Sequence, residues 1–415
     1  MPLPIRVPPI AENWDCHGCG ICCRGAVVVL NDGDLERIRR QGWEQDPDFR
    51  GKKYLLRVGL FDKRYRLAQR NDGRCVFQDD DKLCRIHKRF GYDAKPHVCR
   101  MAPLQLVPLE NLAYVTLRRY CPSAAADKGR SLREQVGGLA ELLRRSGEEP
   151  LPSRPPPLTP KYRRPWDDAE ALHGRLSRMA MDQRFPLVRR LVHGLKLCDL
   201  LVACKLRQFK AQRLVELLSM LEEPAVEDSA ALFSNRLEPA KQTGKLFRQT
   251  ILEYLRLHPD FAGEYSWRDR WGLISAALRF ARGKGPIPQL HLPFASTSFE
   301  SQQRPLGPLP ESVLKPLNAY FETAVASWRY AMLKRWGWSI VESFWDLALA
   351  YSVGMWVLRW ACTGRQPDQE DAVRVVMMLD RGQTHAPLAG YRHRLRVRTL
   401  ARNDQLARLA VWYAR

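Results

Sequence analysis

Four cysteines stand in the run Cys16-His17-Gly18-Cys19-Gly20-Ile21-Cys22-Cys23, and four more follow at Cys75, Cys84, Cys99 and Cys121. Thiolates two residues apart can wrap one metal centre, and Gly18 and Gly20 supply the backbone freedom that such wrapping needs. Cys16, Cys19 and Cys22 form C-x2-C-x2-C. That spacing holds three irons of a 4Fe-4S cubane whose fourth ligand is remote and followed by proline. Cys121-Pro122 fits that description. A single C-x2-C serves zinc equally well, so zinc and an iron–sulfur cluster both stay open.

Eight thiolates suffice for two four-thiolate sites, or for one such site and a mixed one. His87, in Cys84-Arg85-Ile86-His87, and His97, close to Cys99, are the histidines that could join a mixed site. Cys22 and Cys23 are neighbours, and in an extended segment neighbouring side chains point to opposite sides. They are therefore expected to serve different centres, or one of them is not a ligand. His17 is expected to support the centre by a hydrogen bond. The metal can act chemically, or it can staple a domain too small to bury enough apolar surface.

The chain's other three cysteines, Cys198, Cys204 and Cys362, fall on apolar helical patterns and read as buried free thiols. Met1 to Ile10 lacks the apolar core of a secretory signal. A reducing cytoplasm is thus the expected location, where dense cysteines favour metal over disulfides.

The 415 residues carry a net charge of +22. The excess is scattered along helical segments, with no tight lysine/arginine block and no reading motif, so a nucleic-acid partner is not expected. The most apolar stretch, Trp336 to Cys362, is interrupted by Glu342, Asp346 and Arg359, which makes it a core helix and not a membrane span.

These residues must be positioned by two kinds of structure. A cysteine-rich α+β head covers residues 1–125. Strands are expected at Ala26–Leu30, Tyr54–Val58, Tyr65–Ala68 and Leu112–Leu117, with a helix from Leu35 to Gln41 after the turn Asn31–Asp34. Residues 126–165 hold a helix, Ser131–Arg145, and a proline-rich extended linker. Residues 166–415 read as a larger all-α domain with a second proline-rich break at 283–310. Long helices are expected at Glu311–Arg335 and Ser339–Thr363, and Trp328, Trp336, Trp338, Trp345, Trp356 and Trp360 are assigned to its core.

The order and flanks of the cysteines carry a resemblance. Cys16–Cys23 is followed by Gly73-Arg74-Cys75-Val76-Phe77, then Cys84–His87, then Pro96-His97-Val98-Cys99-Arg100-Met101-Ala102-Pro103. This resembles the CxxCxxCC cysteine-cluster family, described as zinc- or iron-chelating, over residues 14–122. Val115–Pro122 and the long helical remainder are further similar to the flagellin lysine-N-methylases. That similarity implies an iron–sulfur centre; the candidate ligands are the eight cysteines Cys16, Cys19, Cys22, Cys23, Cys75, Cys84, Cys99 and Cys121. It also implies methyl transfer from S-adenosylmethionine to lysines of a protein such as flagellin. The sequence itself names no catalytic base and no residue for S-adenosylmethionine. The competing expectation is a non-enzymatic zinc- or iron-binding interaction module.

Overall fold

The computed structural model describes residues 2–415 except 60–62, 147–148, 236, 259–260, 262–266, 291 and 334–336. Its head is built on five short strands: β1 (Ile5–Arg6), β2 (Leu55–Arg57), β3 (Tyr65–Leu67), β4 (Leu104–Pro108) and β5 (Ala113–Leu117). β2 and β3 form an antiparallel hairpin with Leu55 opposite Leu67. β5 lies between β1, parallel to it, and β4, antiparallel to it with Leu104 opposite Leu117. Ala26–Leu30 falls short of a full strand. It touches β3 through the single bridge Val29–Arg66, flanked by Leu67 N–H to Val28 C=O at 3.0 Å and Leu30 N–H to Tyr65 C=O at 2.9 Å. Pairing stops there because Asn31 caps a helix at once, its side chain accepting from Asp34 N–H at 2.7 Å. That helix runs Asp32–Arg40, three residues earlier than expected at its start.

The body is helical from Trp166–Met181 onward. Its axis is the helix Ile340–Ala361, in which every residue from Ile340 to Trp360 is buried. Ser339 and Glu342 close its N-terminus as a capping box, each side chain serving the other's backbone N–H. The polar groups inside it are partnered: Glu342 receives Arg394 at 2.7 Å, Asp346 meets His393 Nε2 at 2.7 Å, and Arg359 donates to Tyr413 C=O at 2.7 Å. Gly194 lets a neighbouring helix approach closely, since a Cβ there would sit 2.3 Å from the Phe344 ring. No helix among the described residues is long and apolar enough to cross a membrane.

Trp328, Trp338, Trp345, Trp356 and Trp360 are all buried, as expected, whereas Trp336 lies outside the described residues. Cys198 and Cys362 are buried; Cys204 is only half-buried, at the end of its helix.

Two expectations change. The helix from Glu311 ends at Ala326, not Arg335, because Trp328 takes a left-handed conformation at φ 60°. A bulky residue there is unusual, and it turns the chain into the short helix Arg329–Met332. The proline-rich linker is extended, as proline requires, but it is a strap and not a loose tether. Ser153 N–H bonds Leu109 C=O at 2.9 Å, and Ile340 N–H bonds Pro157 C=O at 2.8 Å. Pro156 to Thr159 are buried.

Candidate metal centre

The first cysteine run is fixed at both ends by backbone pairing. Trp14 N–H and Asp15 N–H bond Arg130 and Lys128 carbonyls at 2.9 and 3.1 Å, and Arg130 grips the Asp15 carboxylate at 2.8 Å. His17 Nδ1 meets Ser123 Oγ at 2.7 Å, tying the run to the residues just after Cys121. Gly20 has φ 69°, and a Cβ on it would fall 2.0 Å from the Gln78 amide. That amide, almost wholly buried, donates to Gly20 C=O and Lys82 C=O at 3.0 and 3.1 Å. Gly20 is thus required both for its backbone angle and for the approach of Gln78.

Ile21–Cys23 forms one turn of 3-10 helix. The Cys22 and Cys23 sulfurs lie 4.0 Å apart, side by side. The expectation that they diverge assumed an extended backbone; the tight turn removes it.

Cys75 N–H then bonds Cys23 C=O at 3.0 Å, which brings the second cysteine segment beside the first. Cys75 bridges Gln69, Cys84 bridges Gln78, and Cys84 leads into the helix Arg85–Phe90. Cys99 sits in the short helix His97–Met101, anchored by His97 N–H on the buried Asp34 carboxylate at 3.0 and 3.1 Å. The same carboxylate accepts from Arg37 at 2.7 Å.

The electrostatics show which thiols face one another. Burial pushes the Cys75 thiol up to about 11, and Cys84 and Cys22 add to that rise. Burial raises Cys99 further, followed by repulsion from Cys75, Cys84 and Cys22, with Lys95 pulling the other way. The Cys22 thiol is raised first by its contact with Cys23 and then by burial. Cys22, Cys75, Cys84 and Cys99 are therefore neighbours in one region of the head.

Cys121, at the N-terminal end of the short helix Pro122–Ala125, is raised by burial and lowered by the Ala124 and Ser123 N–H groups; it also feels Cys22. Cys16 is exposed, and Tyr92 feels both Cys16 and Cys99. Cys19 is half-buried and makes no hydrogen bond to another thiol among the described residues. His87 is exposed and packs edge-on against Tyr92.

Among the described residues no three His, Cys, Asp or Glu side chains close into a coordination group. The donor chemistry nevertheless fits a thiophilic cation. Contact with Cys23 and burial hold the Cys22 thiol, and burial holds Cys75 and Cys99, above the ordinary range, which disfavours their thiolates; a bound cation reverses that. When bound, zinc or an iron–sulfur cluster supplies cross-linking of three segments.

The centre stands next to a buried ionic joint that sequence reasoning missed. Arg118 and Arg329 hold Asp380 at 2.8 and 3.1 Å, and Tyr120 N–H bonds the same carboxylate at 3.2 Å. Arg329 also donates to Leu117 C=O at 2.8 Å. Arg119 reaches Glu12 at 3.4 Å and Thr323 at 3.1 Å, while Thr116 donates to Glu12 at 2.7 Å. Head and body thus share one charge network at the end of β5. Its only signal in the sequence is Asp380 itself, a carboxylate ending the apolar run Val375-Val376-Met377-Met378-Leu379.

Comparison with known proteins covers part of the chain. An uncharacterised protein of Methanocaldococcus jannaschii, MJ0939, is 24% identical over 147 residues, covering 35% of this chain and 48% of that protein. The chain thus spans about half the length of the curated relative it matches. No solved structure matches. Residues 15–122 match the family model CxxCxxCC, described as "Putative zinc- or iron-chelating domain", and the chain carries a domain of that family there.

Proposed function

We propose that the head is a metal centre whose thiolates Cys22, Cys75, Cys84 and Cys99 close on one zinc ion or iron–sulfur cluster. The observation that supports this reading is the neighbourhood of four half-buried thiols, with Cys75 and Cys99 each lying close enough to Cys22 and Cys84 to feel them. Cys16, Cys19, Cys23 and Cys121 are the remaining donors, available for a second centre or for exchange at the first. Cys75, Cys84 and Cys99 pack directly against the small apolar cluster around Trp43, so the metal completes the head's core. The head is then held against the helical body by the Asp380 joint.

Metal and acid-labile sulfide content of anaerobically purified protein, with its visible spectrum, tests this. About four iron and four sulfide per chain identify a cubane, and zinc without sulfide identifies a structural site. Retention of full metal content by Cys75→Ser would overturn the ligand set.

Methyl transfer from S-adenosylmethionine to a protein lysine, with a flagellin-like substrate, is the finer proposal. It is supported by the motif resemblance at Val115–Pro122 and by the long helical body. Such a transfer needs a base for the amine. Tyr120 is the tyrosine beside Cys22 and Cys121. Burial, then Cys22, raises its hydroxyl. Binding of S-adenosylmethionine by the metal-loaded protein is the deciding assay; absence of binding leaves the metal-stapled module as the function.

A further inference from the structure

A cleft of about 470 Å³ lies where the β4–β5 turn meets the helix Trp166–Met181 and the break at Trp328, and none of the cysteines lines it. Its floor is aromatic. His173 is buried and stacks on Trp328 with ring centres 3.8 Å apart, and its Nδ1 lies 3.4 Å from the Tyr330 hydroxyl. Burial drives the His173 pKa down to about 3, so the ring is neutral near pH 7 and adds no positive charge. Leu112, Tyr114 and Met181 give the walls an apolar surface.

The mouth carries Glu110 and Glu170. Asp167 stands close enough to Glu170 to repel it. The Glu170 carboxyl is raised by burial, then by Asp167 and Glu110, with no cation pulling it back. Among the described residues, Glu110, Asp167 and Glu170 form no ion pair. Arg178, at the rim, is already paired with Glu222 at 2.9 Å, and Arg6 is the cation that faces Tyr114. In a chain of net charge +22, a cleft in which Glu170 has carboxylates as its charged neighbours is an exception to the surrounding field.

We propose that this cleft binds an aliphatic di- or polyamine. Its ammonium groups lie against Glu110 and Glu170, and its methylene stem lies on Leu112, Met181 and the Tyr114 ring. Two carboxylates select for two positive charges, and the apolar walls select for the stem between them. Tyr114 adds a cation–π face, and His173 keeps one ring nitrogen for a donor or acceptor whichever tautomer it adopts.

The test is calorimetric titration of spermidine into the full-length, metal-loaded protein. Saturable one-to-one binding that weakens as salt rises is expected. Glu110→Gln and Glu170→Gln are each expected to weaken it roughly fivefold, and the double variant more. Both side chains are exposed, so these variants keep the fold, and unchanged metal content confirms it. Magnesium at equal concentration is expected not to displace spermidine, because it carries the charge without the stem. Three results would overturn the proposal: no saturation at millimolar spermidine, equal affinity in the double variant, or displacement by equimolar magnesium. None depends on the identity of the metal in the head.

Discussion

The two regions solve the problem of stability with different means. The head's cluster around Trp43 contains eight buried hydrophobic residues, four of them Trp43, Phe49, Phe77 and Ile86. The body's central helix alone buries twenty-one consecutive residues. The difference lies in how many apolar side chains each stretch of chain can hide. The head substitutes aromatic contacts, with Trp43 at 4.8 Å from Phe77 and 5.1 Å from Phe49, and places three cysteines against them. The comparison teaches that the thiols are part of the head's core. In the body, Cys198 and Cys362 fill space as ordinary small apolar side chains.

Removing the metal should separate the regions most sharply. Structural zinc sites supply on the order of 10 kcal/mol of folding free energy. A strong chelator, or Cys75→Ser, is therefore expected to unfold residues 15–122 while most of the helical circular dichroism survives. Proteolysis followed by mass spectrometry reads this out. Cleavage spread evenly over head and body would break the comparison.

The next effect concerns the joint. Asp380→Asn leaves Arg118 and Arg329 buried without their carboxylate and is expected to cost about 3–5 kcal/mol, measured by denaturant titration. The pH dependence has a defined sign. Burial alone raises the Asp380 carboxyl, but Arg118 and Arg329 outweigh it and hold it below its ordinary value. Its contribution is therefore present above the unfolded pKa, near 3.9, and is lost as pH falls through the lower folded value. Glu12 acts in the opposite sense, since burial raises it more than Arg119 and Thr116 lower it. The wild-type protein should lose stability below about pH 4, and Asp380→Asn should flatten that loss. An unchanged slope would remove Asp380 from the joint's energetics.

Much of this architecture is readable where the causes are local. The two-residue cysteine spacing, the Asn31 cap, the β2–β3 hairpin and the central helix depend on neighbours in sequence. What escapes reading depends on partners far away. Glu12, Arg119, Thr323, Arg329 and Asp380 are brought together only by the fold, and each alone resembles a solvated charge or hydroxyl. The break at Trp328 escaped for the same reason: nothing beside it forbids a helix. Its conformation is held by His173 stacked on its ring and by Arg329 reaching Leu117 and Asp380. The Cys22–Cys23 arrangement was misread because it was referred to an extended segment, and Gly20 starts a 3-10 turn there.

A smaller effect tests whether the body is as self-sufficient as its core suggests. Ser339→Ala removes one half of the capping box and is expected to cost about 1 kcal/mol. Glu342 keeps Arg394 at 2.7 Å, so the loss should stay local to the helix start. If it also lowered metal content, head and body would be coupled through the strap that ends at Ile340.

The smallest expected effect bears directly on the contrast between the two sets of cysteines. Cys204 is half-buried at the end of Leu187–Ala203, and its thiol donates to Leu200 C=O at 3.3 Å. A serine hydroxyl can make the same bond with little change in shape, so Cys204→Ser should change stability by no more than about 0.5 kcal/mol. Metal content should be unchanged. Cys19→Ser offers the matching substitution in the head, where one of the donors outside the Cys22, Cys75, Cys84 and Cys99 set is replaced by a poor one; a second centre there predicts lowered metal content. Measured side by side, the pair separates two roles that one residue type plays in a single chain. Equal retention of metal by both variants would remove Cys19 from the centre. A loss in Cys204→Ser would mean that the helical body contributes a ligand.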